Sequence, residues 1–163
     1  HISPLFVTRI EDNQGNVIAR FQPRMNEVIN AESANKMLVL LQAVVNEGTA
    51  GRLRYKFGLK NEIGGKTGTT NRNSDAWFIG FTPQLVSGCW VGGDDRDIHF
   101  DSTSMGQGAT MALPIWAYFM KKVYADKALG YDINATFDLP ANFDPCYNSE
   151  QGYDEFGIDE VYE

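Results

Sequence analysis

Residues 64–82 read GGKTGTTNRNSDAWFIGFT, and a further apolar run, LVSGCWVG, follows after two residues. The region contains three segments with strand character, IGGKTGT, DAWFIGFT and LVSGCWVG, separated by polar or proline-containing turns. Because the connection through Pro83 is too short for a crossover, the last two segments are expected to be antiparallel neighbours. The sequence therefore predicts an antiparallel meander of three strands, with K-T-G on the first.

A hairpin and a helix are predicted before this meander. The segments LFVTRI and VIARFQP flank a turn, EDNQGN, whose Asn and Gly residues suit a β-hairpin. The segment NAESANKMLVLLQAVVNEG has apolar residues at helical spacing, with Asn30 as N-cap and Gly48 as the glycine after the helix. Since its apolar stripe is wide, we expect this helix to be buried on most sides.

A second helix is predicted after the meander. The loop DDRDIHFDSTS comes first, and we interpret it as solvated because its spacing lacks the glycine and glutamate of a calcium loop. In MALPIWAYFMKKVYAD, Pro114 suits the first helical turn, where a missing N–H does no harm. The residues expected to face the sheet are Ile115, Phe119 and Val123, with Trp116 and Met120.

Together these elements predict an α+β fold, an antiparallel sheet with flanking helices. We expect one domain over residues 1–131 and an acidic tail over residues 132–163. The chain has a net charge of −7, but nine acidic residues and no Lys or Arg follow Lys127. The tail thus carries the acidity, and we interpret it as a solvated terminus rather than a docking segment.

Composition narrows the classes of partner. The body lacks the basic stripe that nucleic acid requires, and no apolar run is long enough to span a bilayer. Cys89 and Cys146 allow one internal pairing, which the sequence leaves open, and neither has a His or Cys at metal-ligand spacing. We expect Cys89 to be a small buried apolar residue, and we expect no metal or cofactor.

The chain begins at His1 rather than Met, so we expect the natural protein to extend upstream.

The motif GGKTGTT has two interpretations. A phosphate loop, G-x-x-x-x-G-K-[ST], would need a glycine at position 60, which is Lys60, and a helix afterwards. The alternative is the K-T-G element of serine acyltransferases that act on D-alanyl peptides. The longer segment GGKTGTTNRNSDAWFIGFTPQLVSGCWVGGDD resembles class A, bifunctional penicillin-binding proteins, and RIEDNQGNVI, EGTAGRLR and ALPIWAYFM follow that family's order. The resemblance covers about residues 2–125 and implies a partial serine β-lactamase/transpeptidase-like fold.

The resemblance implies roles for four residues of the K-T-G strand. Lys66 supplies positive potential for a substrate that ends in a carboxylate. Thr67 and Thr69 can present hydroxyls from one strand face, because residues i and i+2 share a side. Gly68 keeps the opposite face clear or lets another backbone approach. The backbone N–H of Thr69 is implied as half of the oxyanion hole, and the strand edge can pair with an extended peptide.

The family also needs S-x-x-K, which carries the nucleophile, and S-x-N. One tetrapeptide, Ser33-Ala34-Asn35-Lys36, satisfies both patterns, and only 29 residues separate it from Lys66. It lies in the first predicted helix, which matches a different family helix just before the K-T-G strand. We therefore interpret Ser33 as a first-turn helix residue and expect the nucleophile to be absent. Without that serine, the chain alone is predicted to be inactive and to take up no penicillin covalently.

For the intact protein, the resemblance implies cross-linking of peptidoglycan stem peptides ending in D-Ala-D-Ala, and binding of β-lactams at the same site. It also implies a glycosyltransferase domain, an N-terminal membrane anchor outside this chain, and a location on the outer face of the bacterial cytoplasmic membrane. Two alternatives remain open: a β-lactamase or D,D-carboxypeptidase, and a non-catalytic interaction module of the same fold. Surface that missing parts would cover predicts some self-association of the chain.

Overall fold

The computed structural model describes residues 2–140 and residue 143. The chain divides into two units, His1–Ala34 and Asn35–Glu163. The expectations for Cys146 and for most of the acidic tail lie outside the described residues. None of the helices in the described part of the chain is long and apolar enough to cross a membrane.

The first unit contains the predicted hairpin. Strands β1 (Arg9–Glu11) and β2 (Val17–Arg20) pair in antiparallel fashion. In the turn, the Asp12 carboxylate accepts a hydrogen bond from the Asn16 N–H at 2.8 Å. Gly15 has a φ of +85°, which glycine adopts without steric cost. The hairpin prediction is confirmed.

Helix α1 (Ala31–Asn46) is the predicted first helix, but it is not buried on most sides. Asn30 caps it as expected, since the Asn30 Oδ1 accepts the Ser33 N–H at 2.8 Å. Among the residues of α1, all of which the structure describes, only Val45 is fully buried, whereas Leu40 is 61% exposed. The burial prediction is wrong because an apolar stripe shows which face can be buried, not whether neighbouring residues cover it.

Gly48 follows α1 where the sequence predicts a glycine, but its φ does not lie in the left-handed region. A Cβ at Gly48 would lie 2.9 Å from backbone atoms of Val44. The close passage of the chain over the last helical turn, and not a positive φ, therefore requires glycine here.

Arg54 holds the basic stretch after α1 in place. It lies in the short helix α2 (Arg52–Tyr55) and is half-buried. Its guanidinium donates to the Asn46 side-chain oxygen at 2.8 and 3.0 Å, and to the backbone carbonyls of Leu59 and Asn61 at 2.7 Å. Burial lowers the pKa of Arg54. One side chain thus ties the end of α1 to the segment that enters the sheet.

The sheet is the predicted meander. Strands β3 (Gly64–Thr69), β4 (Asp75–Phe81) and β5 (Val86–Gly92) are antiparallel in the order β3–β4–β5. Within the described residues, no further strand pairs with the outer edge of β3, so the K-T-G strand is an edge strand. Cys89 of β5 is half-buried against the core, and burial raises the pKa of its thiol.

Helix α4 (Ala112–Ala125) covers one face of this sheet and begins, as predicted, with Pro114 in its first turn. The buried residues of α4 are Ala112, Leu113, Trp116, Ala117, Met120, Val123 and Tyr124. Of the residues expected to face the sheet, Trp116, Met120 and Val123 are thus buried, whereas Ile115 and Phe119 are 53% and 48% exposed. Nearly every position of this helix is apolar, and its pattern therefore does not determine which side meets the sheet.

The segments around α4 are short. A single-turn helix, α3 (Thr103–Gly106), precedes it, and the 3₁₀ turn Lys127–Leu129 follows it. The first residues of the predicted tail belong to the second unit and contact the segment before β3, since the N–H of Phe137 donates to Glu62 Oε2 at 2.6 Å. The boundary at residue 131 and the nature of the rest of the tail stay predictions.

Candidate active site

The register of the sheet sorts the K-T-G residues onto two faces. Thr67 lies opposite Phe78 and Thr69 opposite Ala76, and both partners are buried, at 0% and 2% exposure. Directly opposed residues of an antiparallel pair point to the same side, so the two threonines share the face that bears the core. Lys66 lies opposite Ile79, which is 48% exposed, and therefore on the other face.

The Lys66 side chain lies along the strand and bonds to its backbone. Its side chain is exposed, and its Nζ donates to the backbone carbonyl of Thr67 at 2.8 Å. A lysine ammonium is a flexible point charge with three donors, so this one bond leaves it able to bind an anion nearby.

Each threonine hydroxyl has a partner that the sequence analysis missed. Thr67 Oγ1 lies 2.9 Å from the Oγ1 of Thr49, which is exposed and follows α1. Thr69 Oγ1 accepts the backbone N–H of Gly108 at 3.1 Å. Thr49 follows a glycine in EGTAG, and Gly108 is itself the second glycine of GQGA, but these signals are too common to identify the two partners.

The glycine at position 108 allows the loop before α4 to touch the K-T-G strand. A Cβ at Gly108 would lie 2.3 Å from the Trp77 carbonyl oxygen and 2.6 Å from that of Gly68. A Cβ at Gly68 would in turn meet the Trp77 Cβ at 3.2 Å. The backbone approach thus depends on the missing side chain of Gly108, and the two roles predicted for Gly68 stay predictions.

The turn from β3 to β4 is built around Asp75. Thr70 Oγ1 donates to Asp75 Oδ2 and accepts the Asp75 N–H, both at 2.9 Å, and Trp90 Nε1 donates to Oδ1 at 3.0 Å. These bonds, the one from Thr70 foremost, lower the pKa of the Asp75 carboxyl. They hold closed a 3₁₀ turn, Asn71–Asn73, two of whose residues have φ of 61° and 57°. Left-handed backbone is unfavourable for residues other than glycine, so the turn needs such support.

A family model described as the penicillin binding protein transpeptidase domain matches residues 2–89, more than half of the chain. The chain belongs to the family of penicillin-binding protein transpeptidase domains. It is 40% identical over 123 residues to penicillin-binding protein 1A of Aquifex aeolicus, covering 74% of this chain and 16% of the relative. It is 36% identical over 125 residues to penicillin-binding protein 1A of Neisseria lactamica, covering 74% of this chain and 15% of the relative.

A solved structure agrees with this family. The crystal structure of penicillin-binding protein 1A from Haemophilus influenzae matches 86% of this chain and 25% of its own, with a TM-score of 0.60 and 25% identity. The predicted α+β fold of the transpeptidase type is thereby confirmed. The chain spans about one sixth of the length of the curated relatives it matches.

Ser33 is a first-turn helix residue, as the sequence analysis predicted, but the helix around it is not buried. It lies in the first turn of α1, and its N–H is bonded to the Asn30 cap. It is exposed, whereas the helix was expected to be buried. Its side chain has the environment of an ordinary helix residue at a helix start.

Proposed function

We propose that the natural full-length protein is a serine-type D,D-transpeptidase that cross-links peptidoglycan stem peptides, and that β3 is one wall of its active site. The observation that carries this proposal is the edge position of β3, with the hydroxyls of Thr67 and Thr69 on one face and the Lys66 ammonium close by. A terminal carboxylate is an acceptor of several hydrogen bonds, and charge-assisted bonds of this kind are about twice as strong as neutral ones.

The proposed reaction follows from these positions. An extended stem peptide pairs with the open edge of β3, and its terminal carboxylate is held by Lys66, Thr67 and Thr69. A serine Oγ attacks the carbonyl of the penultimate D-Ala, and the developing oxyanion receives the Thr69 N–H. The C–N bond breaks, and the terminal D-Ala leaves as an amine that takes up the proton lost by the serine hydroxyl. An amine of a second stem peptide then attacks the acyl group and forms a new amide, the ester bond to the serine breaks, and the proton given up by that amine restores the serine hydroxyl.

We place the nucleophilic serine outside these 163 residues. Ser33 belongs to a helix whose Asn30 cap and amphipathic pattern account for it structurally. The proposal also includes the domain division at residue 131, a glycosyltransferase domain, a membrane anchor, and a location facing the outside of the cytoplasmic membrane. These parts are supported by likeness to proteins named penicillin-binding protein 1A.

The test is covalent labelling by benzylpenicillin, read by intact mass. We expect one adduct on the full-length protein and none on the 163-residue chain. In the full-length protein, Lys66→Ala is expected to slow acylation by about 10- to 100-fold, the cost of losing a charge-assisted hydrogen bond. Lys60→Ala, a change of another exposed lysine before the strand, is the matched control and should label normally.

The outcomes separate the proposal from its alternatives. An adduct on the 163-residue chain would place the nucleophile here, with Ser33 as the first candidate. No adduct on the full-length protein would favour a non-catalytic interaction module. Rapid hydrolysis of the adduct would favour a β-lactamase.

A further inference from the structure

Each hydroxyl of the proposed carboxylate site has a hydrogen-bond partner outside the strand. Thr69 accepts a bond from the Gly108 N–H, and Thr67 lies next to the Thr49 hydroxyl, which can donate to it. A threonine hydroxyl has one proton to donate and lone pairs that accept. If its lone pair accepts from a fixed protein donor, its own proton is left for another acceptor. The direction of these bonds therefore decides whether the two hydroxyls can bind an anion.

For Thr69 the direction is settled. The donor is the Gly108 backbone N–H, 3.1 Å from Thr69 Oγ1, and an N–H cannot accept. Gly108 is held in this place because it packs directly on the carbonyls of Trp77 and Gly68, where any side chain would collide. The Thr69 proton is consequently available on an exposed residue.

For Thr67 two directions are open without substrate. Its Oγ1 lies 2.9 Å from Thr49 Oγ1, and either oxygen can be the donor. When Thr67 donates to an anion, its proton is used, and the bond between the two hydroxyls persists only with Thr49 as the donor. Thr49 is exposed, so its hydroxyl can rotate between the two arrangements at little cost.

We propose that Thr49 is a positioning residue of the transpeptidase, acting together with Gly108. By donating to Thr67 as Gly108 donates to Thr69, Thr49 directs the Thr67 proton toward the substrate carboxylate. Thr49 acts through Thr67, and its role is confined to substrates that carry this carboxylate. The inference rests on the proposed function above, because it needs Thr67 to bind an anion.

The experiment compares the full-length protein with its Thr49→Val and Thr49→Ser variants. Acylation is measured with benzylpenicillin, which has the free carboxylate, and with benzylpenicillin methyl ester, which does not. Thr49→Val keeps the shape and removes the hydroxyl. We expect it to weaken the apparent affinity for benzylpenicillin by about three- to tenfold, as for one hydrogen bond, with the rate at saturation unchanged. The ester should react with Thr49→Val as with the wild type, and Thr49→Ser should behave as wild type with both compounds.

Thr136→Val is the matched control, since Thr136 is exposed and lines a separate cavity with Lys60 and Glu62. The proposal is overturned if Thr49→Val loses the same factor with acid and ester, which would mark a structural role. It is also overturned if Thr49→Val leaves the apparent affinity for benzylpenicillin unchanged, or if Thr49→Ser fails to keep the wild-type affinity. Absence of any adduct on the wild-type protein would instead remove the proposed function, and this inference with it.

Discussion

Asp75 is the residue on which the end of the K-T-G strand depends. Its carboxylate accepts hydrogen bonds from Thr70 and Ser74 within the turn and from Trp90 on β5. Trp90 reaches it across the sheet because it lies on the strand that pairs with the one Asp75 begins. A single carboxylate thus connects the turn after the proposed site to the third strand of the sheet.

We predict that Asp75 contributes stability that depends on pH. Because its pKa is lowered in the folded chain, its contribution is present above the ordinary pKa of an aspartate and is lost as pH falls through the lowered value. The difference in Tm between the wild-type chain and Asp75→Asn should therefore be constant above about pH 5 and shrink as pH falls below the ordinary aspartate pKa of about 3.9. Thermal unfolding followed by circular dichroism at several pH values measures it.

A second variant makes the Asp75 prediction specific. Trp90→Phe removes only the Nε1–H donor and keeps an aromatic ring next to Trp77. It should lower Tm less than Asp75→Asn and in the same pH range. A Tm difference for Asp75→Asn that stays constant across the range would contradict the assignment.

At the scale of elements, the loop between α3 and α4 is seated on β3 and β4 by backbone contact. Gly108 lies against both strands, and its N–H bonds to Thr69. Such a contact can form only because Gly108 carries no side chain, whose Cβ would collide with the carbonyl oxygens of Trp77 and Gly68. The loop, the strand and the turn after it therefore form one connected substructure around the proposed site.

We predict that Gly108→Ala is destabilising, because its Cβ would lie 2.3 Å from the Trp77 carbonyl oxygen. Overpacking of this kind costs about 1–3 kcal/mol. Gly88→Ala is the control, since its Cβ would meet Ile79 Cγ1 at an ordinary 3.5 Å. Urea denaturation of the two variants compares the free energies of unfolding. Equal stability of both would show that the loop shifts without cost.

At the scale of the whole molecule, the core lies on one side of the sheet. Phe78 of β4 and Trp116 of α4 are its largest fully buried side chains, with ring centroids 5.2 Å apart. The opposite face presents Trp77, Ile79 and Trp90, all more than 40% exposed. This uneven burial is consistent with a chain that spans a small part of its relatives. The expected self-association stays a prediction.

We predict that Trp116→Ala destabilises the chain by about 3–5 kcal/mol, as expected for a large aromatic residue removed from a core. Phe119→Ala on the same helix should cost much less, because Phe119 is 48% exposed. Unfolding in urea followed by circular dichroism measures both. Similar losses for the two variants would mean that Phe119 is buried as fully as Trp116.

The sequence by itself determined the order of the elements, the hairpin turn at Gly15, the Asn30 cap and the antiparallel meander with K-T-G on its first strand. These features depend on residues close together in the chain, where turn chemistry and capping act locally. The sequence also indicated the family, because the segment around K-T-G resembles that family and the family model matches residues 2–89, which include K-T-G.

Only the tertiary structure decided which residues of α4 are fully covered, how little of α1 is buried, and which groups bond to the site hydroxyls. Thr49 lies 18 residues from Thr67, and Gly108 lies 39 residues from Thr69. Neither pair has a periodic signal, because the contacts arise from the packing of separate segments rather than from spacing along one. The K-T-G strand could thus be found from the sequence, whereas the direction of its hydrogen bonds required the fold.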